Sequence, residues 1–360
     1  MGEKLDQPIY AKEGFPPVFQ TKMGSNIVKE LFPETGTDFF HLGRTAIFYL
    51  AKTLSQRGVK KILLPSFLCQ SIINAINDAG DLDIGFYKIN ESLRIDFSSL
   101  QKQLVNNPGC AIYIIHFFGF VDNNFLAIQK LQQDKHLLIE DCAHALFGKY
   151  QNKFLGQHGD FGIFSFRKML STPDGGALLS NKEIDTKKVT AKLSGPSKEI
   201  IDNNILLQKK ITSGNAPAGS SFQESVDDPY QKAISGTTKQ ILFHTDVPKF
   251  IKKRRDNYNL YRKHLPDMRD IIIPYEELPP EIVPHSFPLR AKQRSKIRRN
   301  LKKNNIESFT IWDELLPETI KSSKFKDTIT LSQQIFSLPV HSRISEESIK
   351  RICQTIKNAC

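Results

Sequence analysis

The chain has 360 residues, of which 39% are apolar and 24% charged, the balance of an ordinary globular protein rather than a disordered one. Its net charge of +12 favours an anionic partner such as nucleic acid, a membrane surface or a phosphorylated ligand. The first residues lack the apolar core of a secretory signal, and the longest apolar run is too short to span a bilayer. The five cysteines are scattered without a CxxC pair, so we expect a cytoplasmic protein with no metal site.

Apolar periodicity predicts alternating helices and strands over the first half of the chain. In chain order the predicted elements are a helix over 46–57, a strand over 61–65, a helix over 71–79, a strand over 84–89, a helix over 97–105, a strand over 111–118, a helix over 125–133 and strands over 136–139, 161–166 and 177–180. Strands that alternate with helices form a mostly parallel sheet flanked by helices, which is the α/β class.

The pattern weakens after residue 182 and changes character after about residue 245. Residues 214–226 are rich in Gly, Ser and Ala, which predicts a loop. The later predicted elements are a basic helix over 250–265, a proline-rich segment over 271–288, a second basic helix over 290–304 and an amphipathic helix over 345–358. We therefore expect a large domain over residues 1–245 and a smaller α+β domain over residues 246–360.

Chemistry-bearing residues follow the predicted strands, at the edge where an open parallel sheet binds its ligands. Lys168 follows one strand and Asp141 follows another, while Gly43, Arg44 and Thr45 stand at a helix start, which can bind phosphate. Each alone also fits a structural explanation: a surface lysine, a helix cap and an ordinary helix start. Together an amine, a carboxylate and an anion site match the requirements of pyridoxal phosphate.

Several short blocks along the chain resemble those of a known enzyme family. In chain order they are Gly43-Arg44-Thr45-Ala46, Leu64-Pro65-Ser66-Phe67, His116-Phe117-Phe118-Gly119, Ile139-Glu140-Asp141-Cys142-Ala143-His144, Gly159-Asp160-Phe161-Gly162-Ile163-Phe164-Ser165-Phe166, Asp174-Gly175-Gly176-Ala177, Arg254-Arg255-Asp256-Asn257-Tyr258 and Leu338-Pro339-Val340-His341. With these blocks in this order, the chain resembles the DegT/DnrJ/EryC1/StrS family of sugar aminotransferases. The resemblance implies pyridoxal phosphate as cofactor, fold type I and a homodimer.

The resemblance also implies a role for each matching residue. Lys168, the only lysine between Lys153 and Lys182, is then the Schiff-base lysine and proton carrier. Asp141 pairs with the pyridine nitrogen, and His144 stands near the 3′ oxygen of the cofactor.

The remaining cofactor contacts lie at the phosphate and on the ring face. By the resemblance, Gly43, Ser165 and the amides of Arg44 and Thr45 hold the phosphate. Cys69 stands where the family usually has an aromatic ring stacked on the pyridine, so the stacking partner is either this thiol or another residue such as Phe67.

Two features of the substrate side stay open at this stage. His116 and His341 are candidates for substrate contact, with a hydrogen-bonded structural histidine as an equally weighted alternative. The Asn-Tyr-Arg segment that family members contribute to the partner subunit's site is not recognisable in residues 183–245.

The function that these observations favour is transfer of an amino group from an amino acid such as glutamate to a keto-sugar or related keto intermediate. One alternative is another reaction of the same cofactor, such as dehydration. The other is a non-catalytic regulatory relative that binds nucleic acid through its basic second domain, where residues 252–303 hold 15 Lys and Arg against 6 Asp and Glu. Solvated helix faces or attraction of an anionic substrate explain that charge better, because no nucleic-acid motif accompanies it.

Overall fold

The fold is seen in a computed structural model that describes residues 24–182, 193–195, 198–212, 230–265, 268, 270–313 and 323–360. The strands are β1 (Thr37–Phe40), β2 (Lys61–Pro65), β3 (Asp83–Tyr87), β4 (Ala111–Ile115), β5 (Leu137–Asp141), β6 (Lys149–Tyr150), β7 (Lys153–Phe154), β8 (Phe161–Ser165), β9 (Gly176–Ser180), β10 (Ile271–Ile272), β11 (Ser286–Ala291) and β12 (Ile335–Pro339). The helices are α1 (Gly24–Leu31), α2 (Gly43–Gln56), α3 (Gln70–Ala79), α4 (Phe97–Val105), α5 (Phe125–Lys130), α6 (Lys198–Thr212), α7 (Gly236–His244), α8 (Val247–His264), α9 (Arg294–Lys303), α10 (Lys326–Gln334) and α11 (Glu346–Lys357).

A seven-stranded sheet in the order β1-β9-β8-β5-β4-β2-β3 forms the centre of the molecule. The strands from β8 through β5, β4 and β2 to β3 run parallel, whereas β9 runs antiparallel to both β8 and β1. All residues of β4 are buried, as expected of a strand that helices cover on both faces. The mostly parallel sheet predicted from the sequence is thus present.

A separate antiparallel sheet, β10-β11-β12, is built from the second half of the chain. The helix predicted over 290–304 begins only at Arg294, because the two residues before Lys292 complete β11. The loop predicted over 214–226 lies outside the described residues, and the domain boundary at residue 245 stays a prediction. Among the described helices, none combines the length and the apolar character that crossing a bilayer requires.

The strand predicted over 111–118 ends early, and the reason is a turn that the apolar run conceals. Residues Phe117–Gly119 form a short 3₁₀ turn in which Phe118 and Gly119 both have positive φ, +56° and +95°. A Cβ atom on Gly119 would lie 2.5 Å from the carbonyl oxygen of Val283, so only glycine fits there.

The buried carboxylate of Glu140 forms a hydrogen-bonded anchor on one face of the large sheet. It accepts hydrogen bonds from His116 Nε2 at 2.9 Å and from the amides of Gly156, His158 and Gly159 at 2.6–3.0 Å. Burial would raise the pKa of Glu140, but the hydrogen bond and charge of His116 and the two glycine amides outweigh burial and lower it. The carboxylate therefore closes residues 156–159 onto the sheet as an anion.

The same cluster has the spacing of a metal site, since ligand atoms of His116, Glu140 and Cys142 lie within 4.8 Å of one another. Its chemistry is unsuitable, because Glu140 already accepts four hydrogen bonds. Burial, followed by the nearby charge of Glu140, also raises the pKa of the Cys142 thiol well above its ordinary value. The cluster is a hydrogen-bonded anchor.

A second buried carboxylate, Asp174, ties the start of β9 to two other elements. Its oxygens accept from His41 Nδ1 at 3.1 Å, from the Ser235 amide at 2.8 Å and from the hydroxyls of Ser235 and Thr238. Next to the hydrogen bonds of Asp174, a Cβ atom on Gly176 would lie 2.5 Å from the Gly43 amide nitrogen. The start of α2 is thereby pressed against β9.

We predict that Glu140→Gln lowers the free energy of unfolding by about 3 kcal/mol, because the new amide group opposes donors that Glu140 now satisfies. Urea denaturation at neutral pH measures this. Glu346→Gln, which removes an exposed ion pair with Lys350, is the matched control and should leave stability unchanged.

The difference in the free energy of unfolding between wild type and Glu140→Gln should also become smaller at acid pH. Because the pKa of Glu140 is lower in the folded protein than in the unfolded chain, its ionised carboxylate stabilises the fold at pH values above the ordinary pKa of 4.5. This stabilisation is lost as the pH falls through the folded-state pKa. Equal stability of both proteins at neutral pH would contradict the anchoring role.

Candidate functional site

The carboxyl ends of the parallel strands, the start of β9 and the start of α2 meet at one edge of the large sheet. Ser165 at the end of β8 is paired with Gly176 at the start of β9, and Gly176 is paired with Phe40 at the end of β1. The topology therefore brings the predicted residues after β1, β5 and β8 to the same edge.

Lys168 lies at this edge, in the 3₁₀ turn Phe166–Lys168 that directly follows β8. Its side chain is exposed, and its Nζ lies 3.4 Å from the Nε2 of His144. Its exposure leaves the amine open to a ligand.

The imidazole of His144 is buried beside this amine and stays neutral. Burial, then the charges of Lys168 and His285, holds the pKa of His144 well below its usual value. Its ring stacks on that of His285 at 4.4 Å and runs parallel to that of Trp312 at 5.9 Å. In the described part of the chain its Nδ1 has no hydrogen-bond partner, so one nitrogen of a buried ring stays available.

His285 is itself neutral and lies in a segment that supports the turn carrying Lys168. Burial, then the charges of Arg254 and Lys168, lowers the pKa of His285 to about 3. The buried guanidinium of Arg254 donates to the carbonyl oxygens of Met169 at 2.7 Å and of His285 at 2.9 Å. Helix α8 and the segment that precedes β11 thus support the turn that carries Lys168.

Asp141 ends β5 and faces the side of the sheet opposite Glu140. The residue is only 5% exposed, and its carboxylate accepts from the Tyr113 hydroxyl at 2.8 Å and from the Ala143 amide at 2.8 Å. Both of these donors are neutral, and a carboxylate offers about four acceptor positions. A buried anion of this kind is suited to a cationic hydrogen-bond donor.

The start of α2 lies at the same edge, where the family resemblance expects a phosphate site. Leu42 occupies the N-cap position, and its side chain has no oxygen that could cap the helix. Within the described residues α3, α5, α9 and α10 also begin without a cap hydrogen bond from the N-cap side chain. A Cβ atom on Gly43 would lie 3.0 Å from the Cβ of Ser165. Gly43, Arg44, Thr45 and Ser165 therefore meet around the helix end.

Cys69 follows β2 as the N-cap residue of α3 and is half-buried. Its Sγ lies 3.1 Å from the hydroxyl oxygen of Ser71. The alternative stacking residue, Phe67, is fully buried and packs edge-on against Trp312 at 5.0 Å. Phe67 is thus part of the core, which favours Cys69 over Phe67 as the residue beside the pyridine ring of the expected cofactor.

The two histidines considered for substrate contact are placed differently. His116 lies on the Glu140 face of the sheet in the buried anchor and is not brought to the group around Asp141. His341 follows β12 and is buried, with its backbone carbonyl accepting from Asn257 at 2.9 Å. For His116 the structural alternative fits its surroundings, and a substrate contact by His341 stays a prediction.

Three residues near the site were not singled out from the sequence as functional: Tyr113, His285 and Trp312. A signal existed for Tyr113, because it is the one side chain with a polar group in the aliphatic run of β4. His285 and Trp312 belong to distant segments, and only tertiary folding places them beside His144.

Known proteins are similar to this chain in sequence and in structure. The GDP-perosamine synthase of Escherichia coli O157:H7 is 23% identical over 305 residues, which is 82% of this chain and 78% of that protein. Helicobacter pylori PseC, an aminotransferase involved in the biosynthesis of pseudoaminic acid, superposes with a TM-score of 0.76 and 17% identity over 98% of this chain and 99% of its own.

A third similar protein is the E. coli GDP-4-keto-6-deoxy-D-mannose-3-dehydratase with bound hydrated PLP. It superposes with a TM-score of 0.69 and 18% identity over 93% of this chain and 91% of its own. These structural matches confirm the predicted fold type I. The sequence model of the DegT/DnrJ/EryC1/StrS aminotransferase family matches residues 46–213 and 242–357, and the chain belongs to this family.

Proposed function

We propose that this aminotransferase binds pyridoxal phosphate at the edge formed by Lys168, Asp141, His144 and the start of α2, and that it transfers an amino group from an amino acid to a keto-sugar. Family membership confirms the enzyme class and the cofactor expected from the sequence. The observation that carries the assignment to these residues is the buried Asp141 carboxylate, which has two neutral donors and lies at the same edge as an exposed lysine.

The residues fit the cofactor at each of its functional groups. Asp141 can accept a hydrogen bond from the protonated pyridine nitrogen, and the start of α2 can bind the phosphate. The neutral imidazole of His144 has a nitrogen available for the ring oxygen. When bound, pyridoxal phosphate supplies an aldehyde carbon that takes the amino group and a ring that withdraws electrons from the reacting carbon.

The chain's own residues then divide the work of binding and proton transfer. Asp141 holds a proton at the pyridine nitrogen, and Tyr113 and the Ala143 amide keep its carboxylate in place. Lys168 provides the amine that attaches the cofactor. It then carries the proton to and from the substrate carbon as general base and acid. Its exposed position beside neutral His144 allows both tasks.

Several observations support a sugar-linked keto substrate. The similar proteins include a GDP-perosamine synthase and an aminotransferase of pseudoaminic acid biosynthesis. The net charge of +12 favours an anionic substrate such as a nucleotide-linked sugar. We further propose glutamate as donor, a cytoplasmic location and a homodimer in which the partner subunit completes the substrate side. Nucleic acid has no part in this proposal.

We predict that the purified protein with pyridoxal phosphate absorbs visible light and that borohydride fixes the cofactor on the peptide containing Lys168. Lys168→Ala should abolish the fixed adduct, because the attaching amine is gone. Lys153→Ala, at a surface lysine, is the control and should keep it. A protein that forms no reducible adduct, or one that forms it equally well without Lys168, would sink the assignment.

Glutamate should convert the bound cofactor to its amine form in a single turnover, with loss of the visible band, because a transaminase completes this half-reaction without the keto substrate. Stopped-flow absorbance measures it. A protein that leaves the band unchanged with every amino acid tried, yet acts on a keto-sugar, would instead favour dehydration.

Gly176→Ala should weaken binding of pyridoxal phosphate about tenfold, or by about 1.4 kcal/mol, because a Cβ there displaces the start of α2. Fluorescence titration of the folded apoprotein measures the affinity. Gly236→Ala is the matched control, since a Cβ at Gly236 meets nothing within 4 Å. Equal affinity in both variants would show that the phosphate binds elsewhere.

A further inference from the structure

Tyr113 is the one residue of β4 with a polar side chain, and it points to the face of the sheet that Asp141 occupies. In the pairing of β4 with β5, Tyr113 lies opposite Ile139 and Ile115 lies opposite Asp141. Residues two apart on a strand share a face. The phenol can therefore reach along the sheet to the carboxylate at the strand end, and its hydroxyl lies 2.8 Å from Asp141 Oδ2.

The environment of Tyr113 makes this hydroxyl a permanent donor. The side chain is fully buried, and burial, followed by the charge of Asp141, raises its pKa well above the ordinary value. A buried phenol must place its proton on an acceptor, and a carboxylate is the strongest acceptor available to it. The bond is therefore present whenever Asp141 is ionised.

The position of the Asp141 carboxylate is fixed at both oxygens. Oδ1 accepts from the Ala143 amide and Oδ2 accepts from Tyr113, each at 2.8 Å. Without the Tyr113 bond, the carboxylate could turn about its terminal torsion, which is broad for aspartate. The direction in which it presents its remaining lone pairs would then no longer be set.

Resting on the proposed function, we infer that Tyr113 is a positioning residue: its hydroxyl aims the Asp141 carboxylate at the pyridine nitrogen and so strengthens cofactor binding through that nitrogen. Tyr113 itself does not touch the reacting atoms. Its effect must therefore disappear when either the carboxylate or the pyridine nitrogen is removed.

Tyr113→Phe tests this, because it deletes the hydroxyl and keeps the ring. The control is Tyr87→Phe, since Tyr87 is equally buried and donates to the backbone carbonyl of Tyr113 at 2.8 Å. Apoprotein is titrated with pyridoxal phosphate and with its 1-deaza analogue, in which CH replaces the ring nitrogen. Circular dichroism melting confirms that each variant is folded.

We expect Tyr113→Phe to bind pyridoxal phosphate about tenfold more weakly, consistent with loss of one charge-assisted hydrogen bond. Its affinity for the 1-deaza analogue should be unchanged, and Tyr87→Phe should bind both ligands like the wild type. In an Asp141→Asn background, adding Tyr113→Phe should have no further effect.

Equal weakening for both ligands, or equal behaviour of the two tyrosine variants, would show a merely structural Tyr113 and overturn the inference. Additive effects of Tyr113→Phe and Asp141→Asn on the affinity for pyridoxal phosphate would also overturn the inference. A wild-type protein that binds both ligands equally would instead overturn the role proposed for Asp141, so the two failures are distinguishable.

Discussion

Consecutive residues of a strand point to opposite faces, and at the end of β5 this places two buried carboxylates back to back. Each must be satisfied, because an unpaired buried charge is costly. Glu140 accepts four hydrogen bonds from the protein and closes residues 156–159 onto the sheet. Asp141 receives only two neutral donors and faces the ligand edge. The contrast separates a structural anchor from the residue that we propose binds the cofactor, although the two are adjacent in the chain.

The rest of the site is arranged around Asp141 by close backbone approach and by support from the second half of the chain. Gly176 allows β9 to press against the start of α2, which brings the helix end to the same edge. Arg254 and His285 reach this edge from α8 and from the approach to β11, and they support the turn carrying Lys168. The position of the turn that carries Lys168 therefore depends on contacts with the second half of the chain.

Much of this arrangement follows from the sequence, because its signals are local. The period of apolar residues indicates the parallel sheet, and the residues at strand ends indicate the ligand edge. The motifs predict the aminotransferase class and the cofactor, and family membership confirms both. The strand over 111–118 was predicted too long, since Phe118 adopts positive φ within an apolar run that periodicity cannot distinguish from a strand.

What could not be predicted depends on contacts between distant segments. The bond from Tyr113 to Asp141 needs the register of β4 with β5, and the ring stack of His144 on His285 needs the second sheet in place. The hydrogen bond between His116 and Glu140 likewise needs β4 and β5 side by side. Sequence indicates which residues carry chemistry, whereas the fold decides which face they occupy.

The most direct test of the proposed cofactor site is a crystal structure of the protein in complex with pyridoxal phosphate. We expect continuous density between Lys168 Nζ and the cofactor, the pyridine nitrogen within hydrogen-bond distance of Asp141, and the phosphate at the start of α2. A cofactor bound with its pyridine nitrogen away from Asp141, or attached to a different lysine, would contradict it.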